Sequence, residues 1–268
     1  MTDKKIGFIG LGNMATAMIG GMLKKNMIRP ENIIGKARTD GTEEKIQDKF
    51  GIQIAESNAD VAAEADILFL AVKPVFLEEV IAQIRAAMRT GTVIVSIVAG
   101  RSLDYLKRAF NRADCPIIRC MPNTPALVLE GCTGVCADEK VSEAELAQVM
   151  ELLRAFGTAH EVPERLMDVV TGVSGSSPAY VFLFIEAMAD EAVAEGMPRK
   201  QAYEFAAQAV LGSAKMVLET GRHPGELKDM VCSPGGTTIQ AVKVLEEKGM
   251  RAAVMDAMEA CICKSRDM

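Results

Sequence analysis

The stretch KIGFIGLGNMATAM, from Lys5 to Met18, constrains this chain more than any other. Gly10, Gly12 and Ala15 form a G-x-G-x-x-A array that follows an aliphatic strand and opens a helix. The glycines permit a tight turn and let a pyrophosphate approach the backbone, while the helix N-terminus adds positive potential. That order of elements begins a dinucleotide-binding α/β fold. A glycine-rich strand-to-helix turn that holds no ligand is the plainer alternative.

The next 150 or so residues continue the pattern. KIGFIG, ENIIG, ADILFLAV, TVIVSIVAG and CPIIRCM are apolar bursts of strand length, and ATAMIGGMLKK, TEEKIQDKF, PVFLEEVIAQIRAAM and SLDYLKRAF between them carry apolar residues at helical spacing. Alternating strands and helices predict a parallel, doubly wound sheet covered on both faces. SEAELAQVMELLRAF closes the region, with Ser142 and Glu145 spaced as a capping box. After Pro163 strand signals stop, and helical segments alternate with Gly-Met-Pro, Gly-Arg-His-Pro and Ser-Pro-Gly-Gly. The expected organisation is an α/β Rossmann domain over residues 1–162, followed by an all-α domain over 163–268.

Several C-terminal helices, PAYVFLFIEAMA above all, are apolar over most of their circumference. Central burial and packing against a second subunit both explain that pattern. No uninterrupted apolar run reaches the roughly 18 residues of a membrane span. The net charge of -6, with three Tyr, nine Phe and no Trp, argues against nucleic acid as a partner. Seven cysteines without a convincing signal peptide point to reduced thiols in a cytoplasm. Cys115, Cys120, Cys132 and Cys136 lie close together, but in apolar, strand-like surroundings and without paired C-x-x-C spacing, so small buried side chains are expected rather than zinc.

At the end of the second strand the chain reads Lys36, Ala37, Arg38, Thr39. NAD-specific sites usually carry Asp or Glu there, and Arg38 can pair with a 2'-phosphate, so NADPH is the expected cofactor. Asp40 stands one residue beyond, close enough in register to reach the ribose and keep NADH possible. A solvated charge pair is the alternative for Lys36 and Arg38. Lys73 ends the burst FLAVK, and Ala99 and Gly100 end another, where small residues let a nicotinamide lie against the backbone.

Reduction of a ketone needs a proton donor for the developing alkoxide. Dehydrogenases of β-hydroxyacids often use a lysine on the first long helix after the Rossmann domain, and no Lys or Arg occurs between Leu166 and Pro198. An imine can arrive protonated and accept hydride at carbon, so position and electrostatics suffice. The same lack of a catalytic base fits a silent NADPH-binding protein, and another imine or keto acid is also open.

GFIGLGNMA, FLAVKP, RCMPNTPA, SGSSPAYVF and HPGELKDMVCSPGGTTIQAV together resemble the pyrroline-5-carboxylate reductase family along essentially the whole chain. The resemblance implies NAD(P)H-dependent reduction of 1-pyrroline-5-carboxylate to proline, and a C-terminal domain that dimerises, with dimers in some relatives assembling into decamers. It implies cofactor contacts at Ile9, Gly10, Leu11, Gly12, Asn13, Met14 and Ala15, at Lys36 to Thr39, and at Asn58, Ala71, Val72, Lys73, Pro74, Ala99 and Gly100. The substrate would meet Ser233, Gly235, Gly236, Thr237 and Thr238, with Glu164 nearby, and Thr238 would hydrogen-bond the ring nitrogen. Amides of the second glycine loop would hold the substrate carboxylate without a cationic side chain. Ser177 and Met230 depart from the family pattern, where Gly and, in some relatives, Asn are expected.

Overall fold

The computed structural model describes residues 2–112 and 114–267. They fall into two compact units, one reaching Ser176 and taking back Cys261 onward, the other spanning Ser177–Ala260.

The first unit begins with β1 (Ile6–Ile9), α1 (Asn13–Lys24), β2 (Ile33–Lys36), α2 (Asp40–Phe50), β3 (Gln53–Ile54), α3 (Asn58–Glu64) and β4 (Ile67–Leu70). It continues through α4 (Leu77–Ile84), β5 (Val93–Ser96), α5 (Leu103–Phe110), β6 (Ile117–Met121), β7 (Gly131–Ala137), α6 (Glu143–Leu153), β8 (Gly157–Glu161) and α7 (Met167–Val170). The sheet order is β3-β2-β1-β4-β5-β6-β7-β8. Every residue of β1, β4 and β5 is buried, because central parallel strands are covered on both faces.

The expected parallel sheet holds from β3 to β6, but β7 runs antiparallel to β6, with β8 parallel to β7. The connection from Met121 to Gly131 is shorter than the dozen or so residues a parallel crossover needs, so the chain returns on itself. Strands β3, β7 and β8 lie outside the five apolar bursts; β3 spans two residues, and GCTGVCA in β7 is mostly small. Helix α3 also escaped the periodicity, though its signal was present. Ser57 and Asp60 form a capping box there, as Ser142 and Glu145 do at α6.

Two apolar clusters cover the two faces of the sheet. Phe8, Phe69, Val95 and Ile118 belong to the cluster that also contains Met18 and Leu153, from α1 and α6. Leu68, Leu70 and Ile94 belong to the other, with Val61, Ile81 and Leu106 from α3, α4 and α5. The Phe8 and Phe69 rings stack with centroids 4.8 Å apart.

The composition changes after Pro163, yet the contact boundary comes later, because the turns up to Ser176 stay with the sheet. Asn123 Nδ2 donates to the Ser174 carbonyl, and Ser265 Oγ donates to Asp168 Oδ1 at 2.7 Å. The second hydrogen bond helps return the C-terminal residues to this unit.

The second unit holds α8 (Ser177–Ala194), α9 (Arg199–Thr220), α10 (Pro224–Val231), α11 (Thr237–Glu247) and α12 (Met250–Arg266) as far as Ala260. Ser177, one departure from the family pattern, is the first residue of α8, and Ser176 separates it from a π-helical turn at Thr171–Gly175. Among the described residues, α8 and α9 are not centrally buried. Along α8 and α9 the buried residues are Ala189, Ala202 and Ala206, whereas Phe182, Leu183 and Phe205 are exposed. The stretch Glu164–Ala194 is also long and apolar enough, by length and composition, to cross a membrane, although charged residues such as Asp168 and Glu186 interrupt its apolar run.

Candidate functional site

Strand order reverses direction at the β1–β4 junction, and open α/β sheets bind ligands outside the carboxyl ends of strands at such a point. A cleft of about 780 Å³ lies there. Of the residues expected from sequence, Ile9, Gly10, Leu11, Gly12, Lys36, Ala37, Arg38, Thr39, Asn58, Val72 and Lys73 line it. Asn13, Met14, Ala15, Ala71, Pro74, Ala99 and Gly100 are not among its walls. Asn13 and Met14 form the first turn of α1, Ala15 is fully buried beneath them, and Pro74 opens a short 3-10 turn.

The glycine turn fits a pyrophosphate. Gly10 has φ +93°, and a Cβ there would sit 2.4 Å from the Ala71 carbonyl oxygen. Around Gly12 the space is open: a Cβ would meet nothing within 4 Å. Gly12 caps α1 without a side chain, and the N–H groups ahead of Thr16, whose own N–H bonds back to Gly12, lack intrahelical acceptors. Such amides at a helix N-terminus suit an anion.

At the end of β2 the two cations differ. Lys36 Nζ lies 3.1 Å from Glu43 Oε1, and the same oxygen accepts the Ala37 N–H at 2.8 Å. Lys36 is therefore paired, but with the buried Glu43 rather than in the solvated pair that the sequence suggests. Arg38 is exposed, makes no ion pair among the described residues, and lies over the Phe76 ring at 4.8 Å. Asp40 is the first residue of α2 and is exposed. Asn58 opens α3, and its amide donates to Gln83 Oε1 at 2.7 Å. Sequence reasoning missed Phe76 and Gln83 as cleft residues, and Glu43 as the partner of Lys36. Glu43 lies in the first turn of α2, a position where an acid is ordinary, and only its distance to Lys36 distinguishes it.

Glu164 has structural partners of its own. Its Oε1 accepts from the Leu103 N–H at 2.7 Å and from Arg119 Nη1 at 3.1 Å. Leu103 opens α5, shortly after Ala99 and Gly100.

In the second unit, Gly235 turns the chain with φ +69°, and Gly236 N–H donates to the Ser233 carbonyl. Gly236 then caps α11 without a side-chain bond, leaving the amides of its first turn as anion donors. Thr237 is exposed and Thr238 is half-buried. Met230 is exposed, and Arg222 Nη1 approaches its sulfur at 3.4 Å.

Of the clustered cysteines, Cys115, Cys120 and Cys136 are buried thiols and Cys132 is half-buried. Burial pushes Cys115 and Cys136 each up to about 12 and Cys120 higher still. Among the described residues no group of three or more His, Cys, Asp or Glu side chains gathers to hold a metal ion.

Comparison with known proteins bears on both units. Residues 164–268 match the family model described as pyrroline-5-carboxylate reductase dimerisation, and residues 5–100 match that described as NADP oxidoreductase coenzyme F420-dependent. The chain is 54% identical over 266 residues to a pyrroline-5-carboxylate reductase of Escherichia coli strain K12, covering 99% of this chain and 98% of that one. It is 45% identical over 268 residues to a protein of the same name from Methanosarcina acetivorans, covering 100% and 99%. A crystal structure of Plasmodium falciparum pyrroline carboxylate reductase with NADP bound superposes with a TM-score of 0.90 at 32% identity, covering 100% of this chain and 98% of that one.

Proposed function

The chain belongs to the pyrroline-5-carboxylate reductase family, and from that premise we infer an NAD(P)H-dependent oxidoreductase that reduces 1-pyrroline-5-carboxylate to L-proline, the last step of proline biosynthesis. The observation that carries this reading is the presence in one chain of two glycine loops, each followed at once by a helix with no side-chain cap. One suits a pyrophosphate and the other a small carboxylate.

NADPH supplies the hydride when bound, with NADH a possible substitute. The amides of Asn13, Met14 and Ala15 hold the pyrophosphate, Gly12 lets it approach, and Arg38 meets the 2'-phosphate. The amides of Gly235, Gly236, Thr237 and Thr238 hold the substrate carboxylate, with Ser233 shaping the turn. The protonated ring nitrogen donates to Thr238 Oγ1, which fixes the direction of the imine carbon. With the iminium already electrophilic, no general acid is required before hydride transfer. Glu164 is assigned to the substrate site on the family resemblance, and its Oε1 also accepts from Leu103 and Arg119. Cofactor work is assigned to residues 1–162, and substrate binding and dimerisation to 163–268.

The enzyme is a homo-oligomer that acts on a small molecule. The finer reading is a dimer or a decamer working in the cytoplasm. NADPH oxidation with 1-pyrroline-5-carboxylate, set beside a panel of other imines and keto acids, tests the reaction. Turnover confined to a keto acid overturns it, and cofactor binding without turnover on any substrate replaces it with a silent binding protein.

A further inference from the structure

Two positive side chains end β2, where this class of sheet reads the adenosine ribose of a dinucleotide. Only one of them has a free charge. Lys36 Nζ stands 3.1 Å and 3.3 Å from the two oxygens of Glu43, whose residue is only 7% exposed. Glu43 Oε1 also accepts the Ala37 N–H at 2.8 Å, so one carboxylate holds both the lysine and the backbone of the β2–α2 turn. Arg38, the next cation along, lies over Phe76 and makes no ion pair among the described residues. All of these residues except Glu43 line the same cleft.

A carboxylate beside a cofactor phosphate repels it, and the repulsion is strongest where solvent screens least. Glu43 would therefore oppose a 2'-phosphate if it stood alone. Lys36 cancels that charge in place, and its own charge is spent in doing so.

We propose that Glu43 is a specificity-positioning residue for NADPH: it fixes the turn through Ala37 and takes Lys36 as its counter-ion, so that Arg38 alone presents net positive charge to the 2'-phosphate. This rests on the assignment of the cleft to NADPH. Lys36 then acts by masking Glu43 and does not itself grip the phosphate. Removing Lys36 uncovers a negative charge, removing the Glu43 charge frees a positive one, and removing both returns the balance.

The test is a double-mutant cycle on the full chain, with Kd for NADPH and for NADH measured by cofactor fluorescence. Lys36→Met is expected to weaken NADPH about tenfold and NADH less than about twofold. Glu43→Gln keeps an acceptor for Ala37 and is expected to tighten NADPH a few-fold with NADH unchanged. The double variant is expected to return close to the wild-type Kd. A double variant as weak as Lys36→Met overturns the proposal, because Lys36 then grips the phosphate itself. Equal changes for both cofactors overturn it as well, since Glu43 then only shapes the turn. Should Lys36→Met not fold, Glu43→Gln alone decides, by the presence or absence of a gain confined to NADPH. Arg38→Asp separates the two levels of the argument: if it changes neither Kd, the cleft assignment has failed, whereas a shift toward NADH beside silent Glu43 and Lys36 variants removes the Glu43 proposal only.

Discussion

Arg119 and Glu164 form an ion pair inside the first compact unit, with Nη1 of the arginine 3.1 Å from Oε1 of the glutamate. The Arg119 side chain is 9% exposed, so its charge has little access to water and depends on this partner. Oε1 also accepts the Leu103 N–H, while Ser102 Oγ accepts the Tyr105 N–H at the same helix start. Glu164 thereby joins the segment after β8 to both β6 and α5.

Glu164→Ala strips a buried cation of its partner and a helix terminus of an acceptor. Loss of one member of a buried pair costs about 3–5 kcal/mol, and the partial exposure of Glu164 places the expected loss near the lower end. Urea unfolding of wild type and variant measures it. A variant with an unchanged midpoint and a raised KM would instead make Glu164 a direct substrate ligand.

Thr238→Ala removes a hydroxyl from a loop whose amides remain in place. Turnover is expected to fall about 100-fold, the size found when one positioned hydrogen-bonding group is lost from a reacting centre. The Kd for NADPH should stay within about twofold, because the cleft that we assign to the cofactor is built from other residues. Parallel loss of cofactor affinity would put the CSPGG loop in the nucleotide site. Steady-state kinetics beside direct cofactor titration separates the two results.

Cys115 and Cys136 are held at about 12 against an ordinary thiol value of 9.0, with burial the main cause. The unfolded chain loses these protons first, so the stability they contribute is complete below about pH 9 and falls as pH rises from there toward 12. At pH 8 both thiols, and Cys120 with them, are protonated and inaccessible. Alkylation followed by mass spectrometry should leave Cys115, Cys120 and Cys136 unmodified in the native protein and modify them in denaturant. Modification of the native protein at any of the three would contradict the burial.

Those cysteines show how unevenly the sequence speaks. The strands of the parallel region are legible because burial on both faces forces aliphatic runs such as Ile67–Leu70, and the glycine turn because few residues fit Gly10 against Ala71. Strand β7 is hidden because Gly131, Gly134 and Ala137 carry little side chain, and its reversal follows from loop length rather than from pattern. Within the cleft, Arg38 is legible from its position after β2, whereas the coupling of Lys36 to Glu43 crosses from strand to helix and exists only after folding. Glu164 is similar, since its partners at positions 103 and 119 are remote in sequence. The helical unit shows the reverse case: its apolar helices are obvious, but their outward-facing side chains leave the reason for that apolarity outside a single chain.

That outward face yields the last expectation. Phe182 and Leu183 on α8 are 62% and 68% exposed, and Phe205 on α9 is 62% exposed. Single exposed apolar residues are ordinary, but large aromatic and aliphatic side chains gathered on one unit mark an association surface, and these lie within the matched dimerisation region. Aspartate at Phe182 or Phe205 places a charge where a partner must remove water, a cost of several kcal/mol met twice in a two-fold interface. Light scattering should show each variant at lower mass than wild type, and the pair together as a monomer. The cleft at the β1–β4 junction is lined entirely by residues of the other unit, so NADPH affinity, which we assign to that cleft, should survive. Monomers that bind NADPH but no longer turn over would make assembly a requirement of the substrate step, whereas monomers with full activity would confine these helices to architecture.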